Sequence, residues 1–535
     1  MSASADALLA DARNDQALDT RTWIMIVGVM LATILEILDT SIVNVALPSM
    51  MGNLGATVDE ISWVVTSYII ANVIVIPMTS WLAARFGRRR YFVGSILLFT
   101  AASALCGLAR TLPALVGFRV VQGIGGGALL ATAQTIMVET FPPQRQGTGQ
   151  AIFGMGAMLG PSLGPTLGGW LTDRWSWPWI FYVNVPLGIA AALICSSYLP
   201  RSRAARRAGR VDWPGIALLV VGVGALQTLL ERGNRLDWFE SDFITALAAT
   251  ALVAIALFVW HELRTEHPVV DLRVFRFRAL QVGCIYGAAM GVGLYGSVFL
   301  FPLFTQELLH FTSWQSGMAI LPSSIATAIV MTFAARLVWR LGPAPLFGVG
   351  LSVFLPALWG MSRWTLDAGW WDLFWPQIGR GVALGFMFAP LSVATLRALP
   401  PGDILQGAGL YNLFRQTGGS LGVAALATLV DHRSALHQAY LAESLTPFSA
   451  ATQQRLAALA AGLVQHGIPP AQALEGAHRV LDRILAAQSS VLAFRDCYLA
   501  IMILFLLLIP LVPLLRRPPV HASAPEPSFD HPEAV

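Results

Sequence analysis

Long apolar runs separated by short polar segments occupy most of this chain. A helix that crosses a lipid bilayer needs about 20 mostly apolar residues. Fourteen stretches of the 535-residue chain meet that requirement: 22–47, 61–83, 91–109, 112–138, 147–171, 178–199, 213–231, 242–261, 279–303, 316–337, 344–362, 371–395, 406–430 and 491–515. The pattern predicts an all-α membrane protein with 14 transmembrane helices.

Composition supports that interpretation and argues against a soluble protein. Hydrophobic residues make up 56% of the chain and charged residues 12%, and the mean hydropathy is +0.64. Soluble domains are about 25% charged. Residues 1–21 are polar and acidic and lack the basic start of a signal peptide, so we expect a tail there.

The basic residues predict how the chain is oriented in the membrane. All 34 are arginine. Twenty-one lie on one side of the predicted helices, ten lie on the other side, and three lie inside apolar runs. Because cytoplasmic loops are enriched in positive charge, we expect both termini, including the tail at residues 516–535, in the cytoplasm.

The lack of lysine restricts the chemistry that the chain can perform. A Walker A phosphate loop needs a lysine, and so does a Schiff-base enzyme that uses lysine. The chain therefore cannot hydrolyse ATP with such a loop, and any uphill work must draw on an ion gradient or on a partner. We expect a transporter driven by a proton gradient, with no enzyme activity and no cofactor. The four cysteines are scattered, mostly in apolar runs, and predict neither a disulfide framework nor a metal site.

Two stretches of the second half of the chain resemble stretches of the first half. "WLAARFGRRR" (81–90) is similar to "FAARLVWRLGPAP" (333–345), and "GFRVVQGIGGGAL" (117–129) is loosely similar to "QIGRGVALGFMFAPL" (377–391). Internal repeats are typical of secondary transporters, whose substrate site lies between the halves near the middle of the membrane.

These repeats predict a 6+2+6 arrangement with two pseudo-symmetric halves. The first six-helix bundle would span residues 22–199, and the second would span 279–515. Residues 200–278 between them would hold a basic linker, two inserted helices and a cytoplasmic loop. The linker at 200–212 fits a topology anchor on anionic lipid headgroups.

A longer polar segment, 431–490, interrupts the second half. It is rich in alanine, glutamine and leucine, and "GIPP" (467–470) breaks it, so we expect two or three helices on the periplasmic side. The segment could be a solvated cap or a docking surface for a partner, and its composition does not decide between them.

Two acids and one arginine inside apolar runs are the strongest functional signal. Glu36 and Asp39 lie about one helical turn apart, and Arg119 lies in the fourth run. Charged side chains in a membrane are costly and commonly mark proton or ion pathways. We expect Arg119 to pair with one of the acids, either as a coupling device that releases a carboxylate for protonation or as a static salt bridge.

The other two embedded arginines, Arg380 and Arg415, belong to the second half. No acid of that half lies deep in an apolar run, so carbonyls, water or an anionic substrate group would have to serve as their partners. A central cavity would be lined by these arginines and by a set of polar, aromatic and methionine side chains that could equally well be simply packed: Tyr68, Gln122, Met155, Tyr286, Phe386 and Asn412.

Small residues and prolines mark the fifth run, "GMGAMLGPSLGPTLGGWL" (154–171). Glycines four residues apart let helices approach closely, and prolines bend a helix. The run suits a moving interface or close packing alone, and its candidate residues are Gly156, Gly160, Pro161, Gly164, Pro165, Gly168 and Gly169.

A short basic turn, "ARFGRRR" (84–90), follows the second run. Its arginines could fix the topology of the loop or act as a latch that binds the carboxyl ends of helices. The candidate residues of this turn are Arg85, Gly87, Arg88 and Arg89.

Three motifs together resemble those of the major facilitator superfamily, and more narrowly its fourteen-helix drug:proton antiporter branch. They are "LDTSIVNVALP" (38–48), "RVVQGIGGG" (119–127) and "GPSLGPTLGGWL" (160–171). The resemblance extends over nearly the whole chain except the tails, and it implies proton-driven export by rocker-switch alternating access. It also implies a place in the bacterial inner membrane, beside a periplasmic adaptor and an outer-membrane channel.

The resemblance carries over to particular residues. Asp39 matches the acid of the first-helix motif, Arg119 matches the arginine of the fourth-helix motif, and Gly87 and Arg88 match the cytoplasmic-loop motif. Ser80 and Ala84 depart from that loop motif, where glycine and aspartate are usual in the superfamily.

Two transport functions fit these features. One is proton-coupled efflux of hydrophobic or amphiphilic toxic compounds. The other is export of a defined endogenous organic anion, such as a fatty acid or a siderophore. A sensor or scaffold that does not transport would not need Asp39 and Arg119 embedded together, and no cluster of residues suits a membrane enzyme.

Overall fold

The computed structural model describes residues 19–142, 145–200, 211–446 and 448–515, and its regular elements there are all helical. The tail expected before residue 19, the tail at 516–535 and most of the basic linker at 200–212 lie outside the described residues. The helices are α1 (Thr20–Leu54), α2 (Val58–Ile61), α3 (Trp63–Phe86), α4 (Arg88–Leu108), α5 (Leu112–Gly126), α6 (Leu129–Thr140), α7 (Gln146–Arg174), α8 (Trp179–Tyr182), α9 (Asn184–Tyr198), α10 (Trp213–Arg232), α11 (Asp242–Arg264), α12 (Arg278–Leu303), α13 (Ser313–Leu341), α14 (Pro343–Met361), α15 (Trp370–Leu396), α16 (Ile404–Glu443), α17 (Ala450–Gln465) and α18 (Pro470–Leu508).

Among the described residues, twelve helical stretches are long and apolar enough to cross a membrane. The prediction of an all-α membrane protein is therefore confirmed. Helices α5 and α6 together form one of the twelve stretches, Leu112–Thr140. The long helices α7 and α16 are not among them, because glycine, threonine and amide side chains dilute their apolar character. The count of fourteen spanning helices thus stays a prediction.

Each half of the chain has its own set of helix contacts. In the first half α1 packs on α7 and α9, and α5 packs on α3 and α4. In the second half α12 packs on α16, and α15 packs on α13 and α14. The halves meet where α7 contacts α13 and where α3 contacts α16. The division into two six-helix bundles with an inserted pair stays a prediction.

The inserted helices α10 and α11 pack against each other, and α10 also reaches both halves. It contacts α3 along its length. On the other side, the Gln227 side-chain amide donates a hydrogen bond to the Ser420 hydroxyl of α16 at 2.6 Å. Helix α10 therefore bridges elements that come from different halves of the sequence.

Glycines let α7 approach α1 at backbone distance. A Cβ atom at Gly160 would overlap the Ile37 side chain, and one at Gly164 would overlap Ser41. The Ser41 hydroxyl donates a hydrogen bond across the contact to the Gly160 carbonyl at 3.0 Å. Gly156 and Gly168 also face α1, whereas a Cβ at Gly169 would meet only Val45 at 3.8 Å. The side chains of Pro161 and Pro165 lie outside the described part of the chain.

The halves also approach closely near the end of the bundle that carries the Gly87 turn, called here the loop end. A Cβ at Gly147 on α7 would lie 2.5 Å from the carbonyl oxygen of Ala335 on α13. A Cβ at Gly409 on α16 would lie 3.1 Å from the carbonyl oxygen of Ile76 on α3. Substitutions at these glycines would push the two halves apart.

The segment 431–490 contains the end of α16, the whole of α17 and the start of α18. The break at "GIPP" separates the last two, since Gly467 has a positive φ of 90° and α18 begins at Pro470. Helix α17 packs on α18. The segment leaves several large apolar side chains in solvent, with Phe448 at 95% exposure and Tyr440 at 61%.

The glycine contact between α1 and α7 generates a stability prediction. Gly164→Ala should lower stability by about 1–3 kcal/mol, because the new methyl group overlaps Ser41 and the structure must shift to accept it. Thermal unfolding of the purified protein in detergent measures the change. Gly169→Ala is the matched control on the same helix and should unfold at the wild-type temperature. Equal unfolding temperatures for both variants would contradict the close contact.

Candidate functional site

A buried ion pair joins the first two predicted site residues. Arg119 on α5 donates through Nη1 to the Asp39 carboxylate of α1 at 2.5 Å, and both side chains are almost fully buried. The sequence prediction that Arg119 pairs with one of the two acids is met by Asp39. What the pair does in transport stays a prediction.

Arg119 has partners on every side. Its Nε donates to the Val64 carbonyl at 2.8 Å, and Nη1 also donates to the Gln122 side-chain oxygen at 2.8 Å. The guanidinium carbon of Arg119 lies 4.1 Å from the centre of the Tyr68 ring. The face of this aromatic ring stabilises the cation through a cation–π interaction. Gln122 and Tyr68, which the sequence suggested for a cavity, therefore belong to the surroundings of this ion pair.

Two amides complete the site around Asp39. The Gln122 and Asn184 side chains donate to Asp39 Oδ1 at 2.8 and 2.9 Å. The same Asn184 amide also donates to the Ser103 hydroxyl of α4 at 3.1 Å. Both carboxylate oxygens of Asp39 thus accept hydrogen bonds.

Sequence analysis did not single out Asn184. Its only signal is an amide inside the apolar stretch "WIFYVNVPLG" (179–188), where a polar side chain needs a partner. An amide carries no charge, so nothing in the sequence connects Asn184 with Asp39.

Glu36 has different surroundings from Asp39, although it lies less than one helical turn away. Its Oε1 accepts one hydrogen bond from the Asn72 side chain at 3.1 Å, and its buried Oε2 has no hydrogen-bond partner among the described residues. The side chain packs on Gly126. Asn72 belongs to α3, which contacts α16 of the second half, so this hydrogen bond links Glu36 to a helix at the seam between the halves.

A chain of amides crosses that seam. Arg415 donates to the Asn412 side-chain oxygen at 2.8 Å, and Asn412 donates to the Gln134 side chain of α6 at 2.6 Å. Gln134 in turn donates to the Ser392 hydroxyl at 3.4 Å. Polar side chains of both halves thus form one buried network across the seam, and Gln134 is a member that sequence analysis missed.

Arg380 is a buried cation with only neutral partners in the described part of the chain. It donates to the hydroxyls of Ser297 and Ser323 at 2.9 and 3.2 Å, and its Nε has no partner there. The side chain is 3% exposed. None of the ion pairs among the described residues involves Arg380.

The remaining cavity candidates occupy varied positions. Tyr286 is buried and donates its hydroxyl hydrogen to the Leu508 carbonyl at 2.6 Å, which joins α12 to the end of α18. Met155 and Phe386 are partly buried. The Met155 sulfur accepts a weak hydrogen bond from Thr332 of α13 at 3.8 Å, across the seam. Their roles in substrate binding stay predictions.

The basic turn holds one ion pair and two exposed arginines. Gly87 has a φ of +83°, a conformation that favours glycine. Arg88 pairs with Glu139 at the end of α6. Arg85 and Arg90 are exposed, whereas Arg89 is partly buried. In place of the missing aspartate of the loop motif, Glu139 thus supplies the acid that Arg88 binds.

The buried ion pair predicts a pronounced non-additivity between two substitutions. Arg119→Gln should destabilise the protein by about 3–5 kcal/mol, because it leaves the Asp39 carboxylate buried without its cation. Adding Asp39→Asn to this variant should recover much of that loss, since the double variant buries no charge there. Thermal unfolding of the two single variants and the double variant measures the coupling. Additive losses would show that the pair does not form.

Comparisons with known proteins agree with this architecture. The chain is 36% identical to the fatty acid resistance protein FarB of Neisseria gonorrhoeae over 92% of this chain and 96% of that protein. It is 35% identical to the multidrug export protein EmrB of Escherichia coli K12 over 80% of this chain and 83% of that protein. The structure of the human organic anion transporter MFSD10 (TETRAN) superimposes with a TM-score of 0.57 at 14% identity, and it covers 91% of this chain and 100% of that chain.

The structural similarity to MFSD10 concerns the fold alone, because the two sequences have little in common. The relation to FarB and EmrB is one of sequence, and it extends over most of each chain. Residues 29–423 match the Major Facilitator Superfamily as a family. The chain therefore belongs to the Major Facilitator Superfamily, and it is related within that superfamily to efflux transporters.

Proposed function

We propose that this protein exports hydrophobic or amphiphilic compounds in exchange for protons by rocker-switch alternating access. The observation that carries the proposal is the state of Glu36. Its carboxyl group is buried, with one oxygen bound to Asn72 of α3 and the other without a partner among the described residues. A carboxyl group with a vacant oxygen can accept a proton without first breaking an ion pair.

The charge of Glu36 offers a route from protonation to movement. In the ionised state its carboxylate attracts Arg415 across the seam and favours contact between the halves at that level. A proton removes the negative charge and with it that attraction. The amide chain through Asn412 and Gln134 then holds the seam with neutral hydrogen bonds, which are individually weak. Loading of Glu36 would thus lower the barrier to separation of the halves.

The ion pair of Asp39 and Arg119 would serve as the second member of the proton site. Asp39 is fully bound as a carboxylate, so it can take a proton only after Arg119, Gln122 or Asn184 withdraws. This requirement supports Glu36 as the first proton acceptor and leaves Asp39 for a later exchange step in which the side chains around it change partners.

A second candidate substrate class is supported by Arg380. A cation buried among serine hydroxyls, with no ion pair in the described part of the chain, fits the head of an organic anion. The similarity to a protein named for fatty acid resistance agrees with such a substrate. Export of an endogenous or toxic organic anion, such as a fatty acid, is therefore the alternative to broad multidrug efflux.

We further propose that the protein works in the bacterial inner membrane with both termini in the cytoplasm. There it would pump into a tripartite system with an EmrA-like periplasmic adaptor and a TolC-like outer-membrane channel. The segment 431–490 is our candidate docking surface, because it exposes large apolar side chains: Tyr440 on α16 and Phe448 in the connection between α16 and α17.

Proton coupling can be tested with purified protein in liposomes that contain a trapped pH dye. An imposed proton gradient is allowed to decay while candidate substrates are added. We expect substrate to accelerate the decay in wild type. Glu36→Gln should reduce this substrate-dependent flux to the level of empty liposomes, because an amide cannot carry the proton. Glu307→Gln, at an exposed acid of the second half, is the control and should retain the flux.

The outcomes separate the two acids. If Glu36→Gln retains proton flux and Asp39→Asn abolishes it, Asp39 is the carrier and the vacant oxygen of Glu36 has no role in coupling. If both variants retain the flux, neither acid carries the proton and the proposed coupling fails.

Substitution of Arg380 is expected to impair transport of anionic substrates more than transport of cationic ones. Arg380→Gln should reduce oleate-dependent flux roughly tenfold or more, because it removes a hydrogen bond between two charged groups and the loss of such a bond has an effect of that size. It should leave flux driven by a lipophilic cation unchanged. Arg380→Lys keeps the positive charge and should preserve part of the oleate response. An equal loss with the anion and the cation would mean that Arg380 supports packing and does not select the substrate.

A further inference from the structure

A long groove on the outer surface of the first half is not used by the proposed transport cycle. It encloses about 1010 Å³ beside α3, α4, α5 and the start of α10. Its walls are almost entirely apolar, and they include Ile70, Leu98, Val120, Ile124 and Ile216. Several of these side chains are exposed, as expected for a surface that faces lipid.

The charge of the groove is confined to one end. Arg85 and Arg90 line it at the loop end, both are exposed, and neither forms an ion pair among the described residues. The described lining contains no acidic side chain. An apolar groove that ends in two arginines at the level of the membrane surface has the charge pattern that complements an anionic amphiphile.

The floor of the groove separates it from the buried acids. A Cβ at Gly123 would lie 2.5 Å from the Tyr68 carbonyl oxygen, and one at Gly127 would lie 2.6 Å from the Asn72 carbonyl oxygen. Helix α3 therefore packs at backbone distance against the chain from α5 to α6 behind the groove. This closed floor favours a resident lipid over a substrate on its way to the central site.

We propose that the groove is a binding site for an anionic phospholipid of the leaflet at the loop end. Its phosphate lies between Arg85 and Arg90, and its acyl chains fill the space between α3, α4 and α10. The lipid stabilises the contact of the inserted helix α10 with the first half. Because α10 also contacts α16 of the second half through Gln227 and Ser420, the lipid supports a helix that joins the two halves. The site depends on the groove alone and not on the proposed proton coupling.

The test uses the full-length protein in phosphatidylcholine, titrated with phosphatidylglycerol. Native mass spectrometry counts the retained lipid, and thermal unfolding measures the stabilisation that it causes. Since each arginine near a membrane surface contributes about 1 kcal/mol, Arg85→Gln or Arg90→Gln should weaken phosphatidylglycerol binding about fivefold and the double variant about 25-fold. Arg278→Gln, an exposed arginine at the start of α12 and outside the groove, should bind as wild type.

A second pair of variants tests the acyl chains without changing charge. Gly94 lines the groove, and a Cβ at this position meets no atom within 4 Å, so Gly94→Leu fills the groove without disturbing the fold. It should abolish the rise in unfolding temperature caused by phosphatidylglycerol. Gly117→Leu is the control, because Gly117 has equally open surroundings on α5 but does not line the groove.

Three results would overturn the proposal. One is equal stabilisation by phosphatidylcholine and phosphatidylglycerol, which would mean that the arginines select no headgroup. Another is wild-type phosphatidylglycerol binding in both Gly94→Leu and the double arginine variant. The third is displacement of phosphatidylglycerol by oleate together with loss of oleate-driven transport in Gly94→Leu, which would make the groove an entry path for substrate.

Discussion

A charge that is buried in a membrane protein must find its partners inside the protein, and this constraint organises the first half of the molecule. Arg119 and Asp39 satisfy each other, and the bonds that remain go to Gln122, Asn184 and the Val64 carbonyl. These groups come from α1, α3, α5 and α9. Withdrawal of any one of them leaves a charge or an amide unpaired in a dry interior. The four helices are therefore expected to move as one body.

Stable packing in the membrane also requires that helices approach each other closely, and α7 does so on two of its sides. Gly160 and Gly164 bring α7 against α1, whereas Gly147 brings it against the Ala335 carbonyl of α13 in the other half. In a membrane, apolar burial does not drive helices together as it does in water, so packing at small residues has to supply the contact. Helix α7 thus belongs to both the body of the first half and the seam. When the two halves rock relative to each other, they must slide along the surface of α7 that contacts α13.

Much of the fold and part of the site follow from the sequence, for reasons that differ from residue to residue. Apolar runs reveal spanning helices because a bilayer imposes one length on all of them, and α7 and α16 are the hardest to recognise because glycines and amides dilute their runs. The pairing of Arg119 with a nearby acid follows from the cost of an isolated charge. The contacts of Asn184, Asn72 and Gln134 do not follow, since a neutral amide accepts many partners and only the tertiary arrangement chooses one. The serine partners of Arg380 escape sequence analysis for the same reason.

The two acids of α1 show how one helix can serve two purposes. Asp39 points into its own half, where a cation and two amides complete its bonds. Glu36 accepts one hydrogen bond from Asn72 of α3, and its other oxygen has no partner among the described residues. A proton on Asp39 would disturb a site that lies within one rigid body, whereas in our proposal a proton on Glu36 would weaken an attraction between two bodies. Coupling a proton to relative movement requires the second arrangement, because only an interaction across the seam changes in energy when the halves separate.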